Sequence, residues 1–292
     1  MSIHWFPGHM AKARRQIEEK LKQVDIVIEL LDARLPLASR NPMIDEITGH
    51  KARLVLFTKG DMADEAITNE WVSYFTSMGI SVLPIDAKTG KGVQKIATTC
   101  ERVLEPLFIS RKKKGIVSKR MRAMVLGIPN VGKSSLINRL AGRHATQTGD
   151  RPGVTKAQQW IRVGKQLELL DTPGILWPKF EDPNVGMRLA MSGAIKEEIL
   201  PTEEVALHTL KYLSSRYPIL LEERYNIEIL EHTPVELLDE IGKKRGCLMR
   251  GGQIDWDKAA DIVMGDLRSG RLGRISLEIP SDYEEDIHEE ND

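Results

Sequence analysis

The segment "GIPNVGKSS", Gly127 to Ser135, constrains this chain more than any other stretch. It has the form Gly-x-x-x-x-Gly-Lys-Ser, follows the apolar run "RAMVLGIP" (122–129) and opens the helical run "KSSLINRLAG" (133–142). Strand, glycine loop, helix is the order in which backbone N–H groups can close around phosphate oxygens with a helix N-terminus facing the anion. In that setting Lys133 supplies positive charge to the outer phosphates, and the Ser134 hydroxyl supplies a ligand for Mg²⁺. A nucleotide-binding α/β architecture is the expectation.

Downstream, "LLDTPG" (169–174) closes another apolar run. Asp171 there is placed to act on Mg²⁺ through water, and the Gly174 backbone N–H is placed to meet a γ-phosphate. Between the two motifs lies "GDRPGVTK", in which Thr155 is the expected second Mg²⁺ ligand, set against the plain reading of a turn residue.

Two further loops lie upstream, each after its own predicted strand. "FTKGD" (57–61) matches the Asn-Lys-x-Asp guanine-reading motif of GTPases with Thr58 in the Asn place. The Asp61 carboxylate can accept from both N1–H and the exocyclic amine of guanine, a donor pair that adenine lacks. The Lys59 stem can lie over the base, and Thr58 can fix the loop. "IDAKTG" (85–90) resembles the Ser-Ala-Lys loop that covers the base edge; Asp86 stands in the Ser place and the Ala87 N–H is aimed at O6. The expected GTP-binding set is Thr58, Lys59, Gly60, Asp61, Asp86, Ala87, Asn130, Val131, Gly132, Lys133, Ser134, Ser135 and Gly174. An ordinary GTPase runs from phosphate loop to base loops, whereas here the base loops come first. Moving the front half of such a chain behind its back half produces this order, which folded domains tolerate because their termini often lie close together. The join would run through "LEPLFISRKKKGIVSKRMR".

Short, nearly continuous apolar runs at 24–33, 53–59, 80–87, 122–129 and 166–173 suit strands buried on both faces of a parallel sheet. Helical stretches at 64–79, 92–108 and 133–142 lie between several of them, and 10–22 reads as a basic amphipathic helix. "QQWIRVGKQLELLD" (158–171) predicts a hairpin at Gly164-Lys165 that lays one antiparallel strand on the sheet edge. Past Pro178 helices dominate: one capped by Thr202, one opened by Thr233, Pro234 and Glu236 as a capping box, and one running from Asp255 to near Gly270. The fold expected is a circularly permuted P-loop GTPase domain, doubly wound on a mostly parallel sheet, followed by an all-α C-terminal domain. The boundaries expected are 1–178, 179–280 and an acidic, disordered tail at 281–292.

With 41% apolar and 29% charged residues among 292, the chain has an ordinary water-soluble composition. No apolar run is long enough to span a bilayer and the N-terminus has no signal-peptide core, so a cytoplasmic protein without a membrane partner is expected. Zero formal net charge hides a basic stretch, Arg111 to Arg122, with seven cations and no acid, which suits either a polyanion or a solvated face. Cys100 and Cys247 lie in no metal-ligand pattern.

Taken together, the motif order resembles that of the circularly permuted GTPases of ribosome assembly. "DARLPLASRNP" (Asp32–Pro42) and "HWFPGHMAKA" near the N-terminus resemble signatures of that family, and the resemblance covers nearly the whole chain. It implies binding of GTP and GDP, GTP hydrolysis, and help in late assembly of the large ribosomal subunit, with the helical domain on ribosomal RNA. A precursor particle of RNA and proteins is the implied partner of a monomeric chain. The alternative is a GTP-dependent RNA-binding regulator acting on tRNA or in stress signalling. Ile175 stands where Ras-like enzymes carry the Gln that orients the attacking water. The resemblance gives that role to His9, with His4 as second choice and a helix-capping turn as the plain alternative. Related "GxPNVGKS" loops use their Asn to hold K⁺, which makes Asn130 either a potassium ligand or a local backbone partner.

Overall fold

The computed structural model describes residues 7–116, 120–142, 160–172, 174, 176–177, 180, 182–195, 200–229 and 232–283, with side chains from residue 14 onward. Helix α1 (Pro7–Leu21) leads into β1 (Ile26–Asp32), α2 (Pro42–Thr48), β2 (Ala52–Thr58), α3 (Glu65–Ser77) and β3 (Ser81–Pro84). A 3-10 turn (Val93–Lys95), α4 (Ile96–Val103) and α5 (Glu105–Lys113) follow, then β4 (Met121–Gly127), α6 (Lys133–Ala141), β5 (Trp160–Val163) and β6 (Leu167–Asp171). Among the described residues these strands form one sheet in the order β3-β2-β1-β4-β6-β5, parallel throughout except for β5 against β6. The antiparallel edge strand and the P-loop strand placed fourth in the chain match the permuted arrangement expected.

Burial on both faces explains the unbroken apolar runs. Every residue of β1 is buried, including the polar Glu29 and Asp32. On one face Val27, Met124, Leu126 and Leu170 pack with Ile17 of α1 and Ile44 of α2. Farther along the same face Leu31, Val55 and Phe57 pack on Trp71 and Phe75 of α3, with Phe57 and Phe75 edge to face at 5.4 Å, while Ile26, Ile28, Leu30, Leu54 and Leu56 are buried on the opposite face. Side-chain caps set where α2 and α3 begin. Asn41 accepts from the Met43 amide ahead of Pro42, and Asp64 accepts from the Ala66 and Ile67 amides.

From β1 the chain steps outward to β2 and β3, then returns to lay β4 on the other side of β1. Such a reversal opens a crevice at the carboxyl ends of the strands flanking it. β1, β2, β4 and β6 end there at Asp32, Thr58, Gly127 and Asp171.

Two compact units divide the chain. Glu181–Ile275 is helical, and the second unit comprises the residues up to Phe180 together with those from Ser276 onward. The helical unit contains α7 (Pro183–Ser192), α8 (Thr202–Arg216), α9 (Pro218–Tyr225), α10 (Pro234–Arg245) and α11 (Trp256–Ser269). The Thr233–Glu236 capping box opens α10, and Asp255 and Gly270 bracket α11. Buried Asp266 accepts from Arg224 Nε at 2.8 Å and from Arg271 Nε at 2.6 Å, tying α9 and the end of α11. Among the described residues no helix is long and apolar enough to cross a membrane. Both cysteines are free and buried.

Four local expectations differ from the structure. The helix expected over 92–108 is a 3-10 turn and two helices that part at Leu104, with Pro106 in the first turn of the second. Pro cannot donate the amide that a continuous helix would need there. Pro201, not Thr202, occupies the cap position of α8, and Thr202 is its first residue. The helical unit ends at Ile275 rather than at 280, and the expected disordered tail begins instead with an ordered 3-10 turn, Pro280–Tyr283. That turn packs on α3, where the Trp71 and Tyr283 rings lie 5.9 Å apart. Residues 284–292 lie outside the described residues.

Candidate functional site

The phosphate loop joins β4 to α6. Gly127 has a φ of 153°, and a Cβ there would come within 2.8 Å of the Leu30 carbonyl oxygen, so the turn requires glycine. Asn130 and Gly132 also adopt positive φ, at 55° and 103°. Buried Lys133 donates from Nζ to the carbonyls of Gly127 at 3.0 Å and Ile128 at 2.7 Å, which hold the ammonium within the loop. Burial lowers its pKa to about 8, against the attraction of Asp171.

Asp171 ends β6 and is fully buried. Burial raises its pKa to about 6; Lys133 and the Thr172 amide pull the other way, yet among the described residues neither carboxylate oxygen has a donor in hydrogen-bonding geometry. Next to it, the Thr172 hydroxyl donates to the Val125 carbonyl and fixes the exit from the strand. Gly174 passes so close to the phosphate loop that a Cβ would meet Pro129 N at 2.8 Å and Lys133 Nζ at 3.0 Å.

The base loops sit beside this loop. The Thr58 hydroxyl lies 2.7 Å from the Val131 carbonyl and 3.1 Å from that of Leu31. Lys59 has a φ of 57°, and its ammonium lies 2.9 Å from Oδ2 of Asp32 at the end of β1. Asp61 is exposed, with Lys88 Nζ at 3.9 Å. In the second loop Asp86 turns its carboxylate onto its own backbone, accepting from the Lys88 amide at 2.7 Å and the Thr89 amide at 3.2 Å, and from the Thr89 hydroxyl. Burial works to raise its pKa, but these donors hold it below the usual range. The Gly60 amide reaches the Ile85 carbonyl at 3.5 Å, linking the two loops.

The sequence pattern described as 50S ribosome-binding GTPase matches residues 122–240. It begins at the P-loop strand, so both base loops lie outside it. A Bacillus cereus protein named ribosome biogenesis GTPase A is 55% identical over 99% of this chain and 98% of its own length. The chain belongs to the ribosome biogenesis GTPase A family. A GDP-bound structure of YlqF superposes with a TM-score of 0.68 at 26% identity, covering 92% of this chain and 100% of that one. The GNP-bound YlqF of T. maritima gives 0.64 at 27% identity, over 92% and 98%. As a member of that family the protein is a GTPase that binds guanine nucleotides and acts in ribosome biogenesis.

Within this GTPase the structure brings together Thr58, Lys59, Gly60, Asp61, Asp86 and Ala87 with Asn130 to Ser135, Asp171 and Gly174 around one crevice end. Mg²⁺ fits the residues present: a buried carboxylate with no donor among the described residues and a P-loop Ser at the first turn of α6 are oxygen ligands of the hard type it takes. Thr155 and His4 lie outside the described residues, and so does the side chain of His9, whose backbone is in the first turn of α1.

Two contributions were not foreseen. Arg139, one face of α6 along from the phosphate loop, donates to the carbonyls of Lys88 at 3.2 Å and Thr89 at 2.6 Å, and so holds the second base loop to the phosphate-loop helix. The second is the "DAR" segment after β1. Arg34 grips Asp32 through Nε at 3.0 Å and Nη2 at 2.8 Å, both side chains being buried. Burial works to raise the Asp32 pKa, but Arg34 and then Lys59 outweigh it and hold the carboxylate far below its usual range. Three charged residues around the end of a buried strand were the available signal.

Proposed function

We propose that this GTPase assists assembly of the large ribosomal subunit, binding a precursor particle in its GTP form and leaving after hydrolysis. The observation that carries the reading is the seating of Gly174 on Pro129 and Lys133. A γ-phosphate cradled by the loop would meet the Gly174 N–H, and the chain runs from there to the helical unit at Glu181. Loss of that phosphate would release this segment, a common way for nucleotide state to be read elsewhere in a chain. The description of the matched family, 50S ribosome-binding GTPase, supports the large subunit as target.

At the site, Lys133 and the loop amides would hold the β- and γ-phosphates, while Ser134, Thr155 and, through water, Asp171 would hold Mg²⁺. The metal supplies charge neutralisation between those phosphates. Asp61 would read the guanine edge, Ala87 its O6, and Thr58 would fix the base loop to the phosphate loop. His9 would orient the attacking water in place of the Gln that Ile175 replaces. Asn130 would place K⁺ beside the phosphates, where extra positive charge favours the transition state. Hydrolysis faster in K⁺ than in Na⁺ supports that ion; equal rates leave Asn130 a loop-geometry residue.

Depletion of the protein followed by sucrose-gradient profiling tests the cellular role, with large-subunit precursors expected to accumulate. Purified precursor should bind more tightly with a non-hydrolysable GTP analogue than with GDP. Unaltered profiles, or equal affinities in the two nucleotide states, would exclude assembly by this cycle.

A further inference from the structure

The helical unit ends at Ile275, and the chain then returns to the GTPase unit. The returning strap, Ser276–Tyr283, lies on the segment that follows β1. The Leu277 and Glu278 amides donate to the Arg34 carbonyl at 2.6 and 3.2 Å. The Glu278 side chain, fully buried, accepts from the Leu37 amide at 2.8 Å and the Ala38 amide at 2.9 Å. Its carboxylate also accepts from the Tyr283 hydroxyl at 3.0 Å, and its carbonyl accepts from the Trp71 indole at 3.1 Å. A buried carboxylate that spans two successive amides makes strong charge-assisted bonds and fixes their orientation.

The fixed segment begins with Asp32 and Arg34. The Asp32 amide donates to Ser39 Oγ at 3.0 Å, closing the segment into a loop. Asp32 then takes the Lys59 ammonium at 2.9 Å, in the middle of the guanine-reading loop. Asp61, the carboxylate expected to read the base, follows Lys59 by two residues in the same loop, so the anchor on Lys59 also bears on its placement. Lys59 holds a left-handed backbone conformation that a lysine does not favour, so its placement depends on outside anchors.

We propose that Glu278 is a positioning residue for guanine recognition, acting through the Asp32–Arg34 loop on Lys59 and Asp61. It touches no nucleotide. Its role is to keep the loop in the one arrangement that presents the base-reading side chains, so the last segment of the chain sets affinity at a pocket built by the first. This inference rests on the reading of "FTKGD" as the guanine site.

The test uses the full-length protein and compares wild type with Glu278→Ala, Glu278→Gln, the milder Tyr283→Phe and, as a control on the base site itself, Asp61→Asn. GDP affinity, KM and kcat for GTP, preference for GTP over XTP, and Tm are measured for each. Glu278→Ala is expected to weaken GDP binding and raise KM by about tenfold, since it takes the acceptor from the buried Ala38 amide and the part-buried Leu37 amide beside the loop. Saturated kcat should stay within about twofold, because the phosphate side is untouched. Glu278→Gln and Tyr283→Phe should fall between wild type and Glu278→Ala. A lowered Tm with unchanged GDP affinity and KM in all three would make Glu278 a stability element only and overturn the proposal. If Asp61→Asn leaves GTP preference intact, the base-site reading itself falls and the proposal with it; if Asp61→Asn shifts preference while the Glu278 variants keep wild-type affinity, only the relay is wrong.

Discussion

The Thr58 hydroxyl lies 2.7 Å from the carbonyl oxygen of Val131, joining residues 73 positions apart in the chain. One belongs to the base loop and the other to the phosphate loop, so a single side chain ties together two halves of a nucleotide site whose order in the sequence permutation has reversed. Thr58→Val keeps the shape, removes the donor and leaves a buried carbonyl short of a partner. It is expected to weaken both GTP and GDP binding by about tenfold, in equal measure, because the loss concerns loop registration and not the γ-phosphate. Titration calorimetry with both nucleotides checks this.

Asp61→Asn replaces two acceptors with one acceptor and a donor. Guanine then meets an N–H where it needs an oxygen, while xanthine, with a carbonyl at that position, gains a partner. The expected outcome is a fall in GTP affinity of at least about a hundredfold and a switch in preference toward XTP, measured by competition binding. Unchanged GTP selectivity would remove "FTKGD" from the base site.

Hydrolysis should depend on His9. With Ile175 offering no polar atom, His9→Ala is expected to cut turnover by about a hundredfold or more while GTP binding stays near wild type. Single-turnover hydrolysis on purified large subunits, beside equilibrium binding, separates the two. A variant that turns over normally on the particle would return the N-terminal segment to a structural role.

Glu29 gives a pH signature. It is buried in β1 with one oxygen unpartnered among the described residues, and burial raises its pKa to about 7 despite Arg53 at 3.2 Å. The folded state therefore holds a proton that the unfolded chain, titrating near 4.5, has already released. Stability should be greatest below the unfolded value and decline as pH rises from about 4.5 to about 7, by about 3 kcal/mol for this group alone. Glu29→Gln is expected to remove that slope and to be more stable than wild type at pH 8. Urea unfolding between pH 5 and 8 reads it directly, and a slope that persists in the variant would assign it to other groups.

Much of this site was legible from local pattern. β1, β2, β4 and β6 announce themselves because both faces are buried and their residues are apolar in sequence, and each carries its loop motif at the same end. Short helices were harder. α2 and α9 have seven and eight residues, too few for a periodic stripe to stand out. The strap was invisible for another reason. Glu278 bonds to the amides of Leu37 and Ala38, 241 and 240 positions away, and a backbone amide leaves no mark in a sequence. Beside an acidic terminus, such a glutamate reads as one more solvated charge. Arg139 was hidden likewise, since its acceptors are main-chain carbonyls.

The chain leaves the GTPase unit at Phe180 and re-enters it at Ser276, so the helical unit is an insertion and not an appendage. During synthesis, the residues proposed to read the base emerge early, whereas Glu278, proposed to brace their loop, emerges after the whole helical unit has been made. Domains ordinarily complete themselves from the N-terminus as they are translated. This one cannot. The Glu278 bonds to the Leu37 and Ala38 amides form only after residues 181–275 have been made, so the proposed brace on the base loop is among the later contacts of this unit to close.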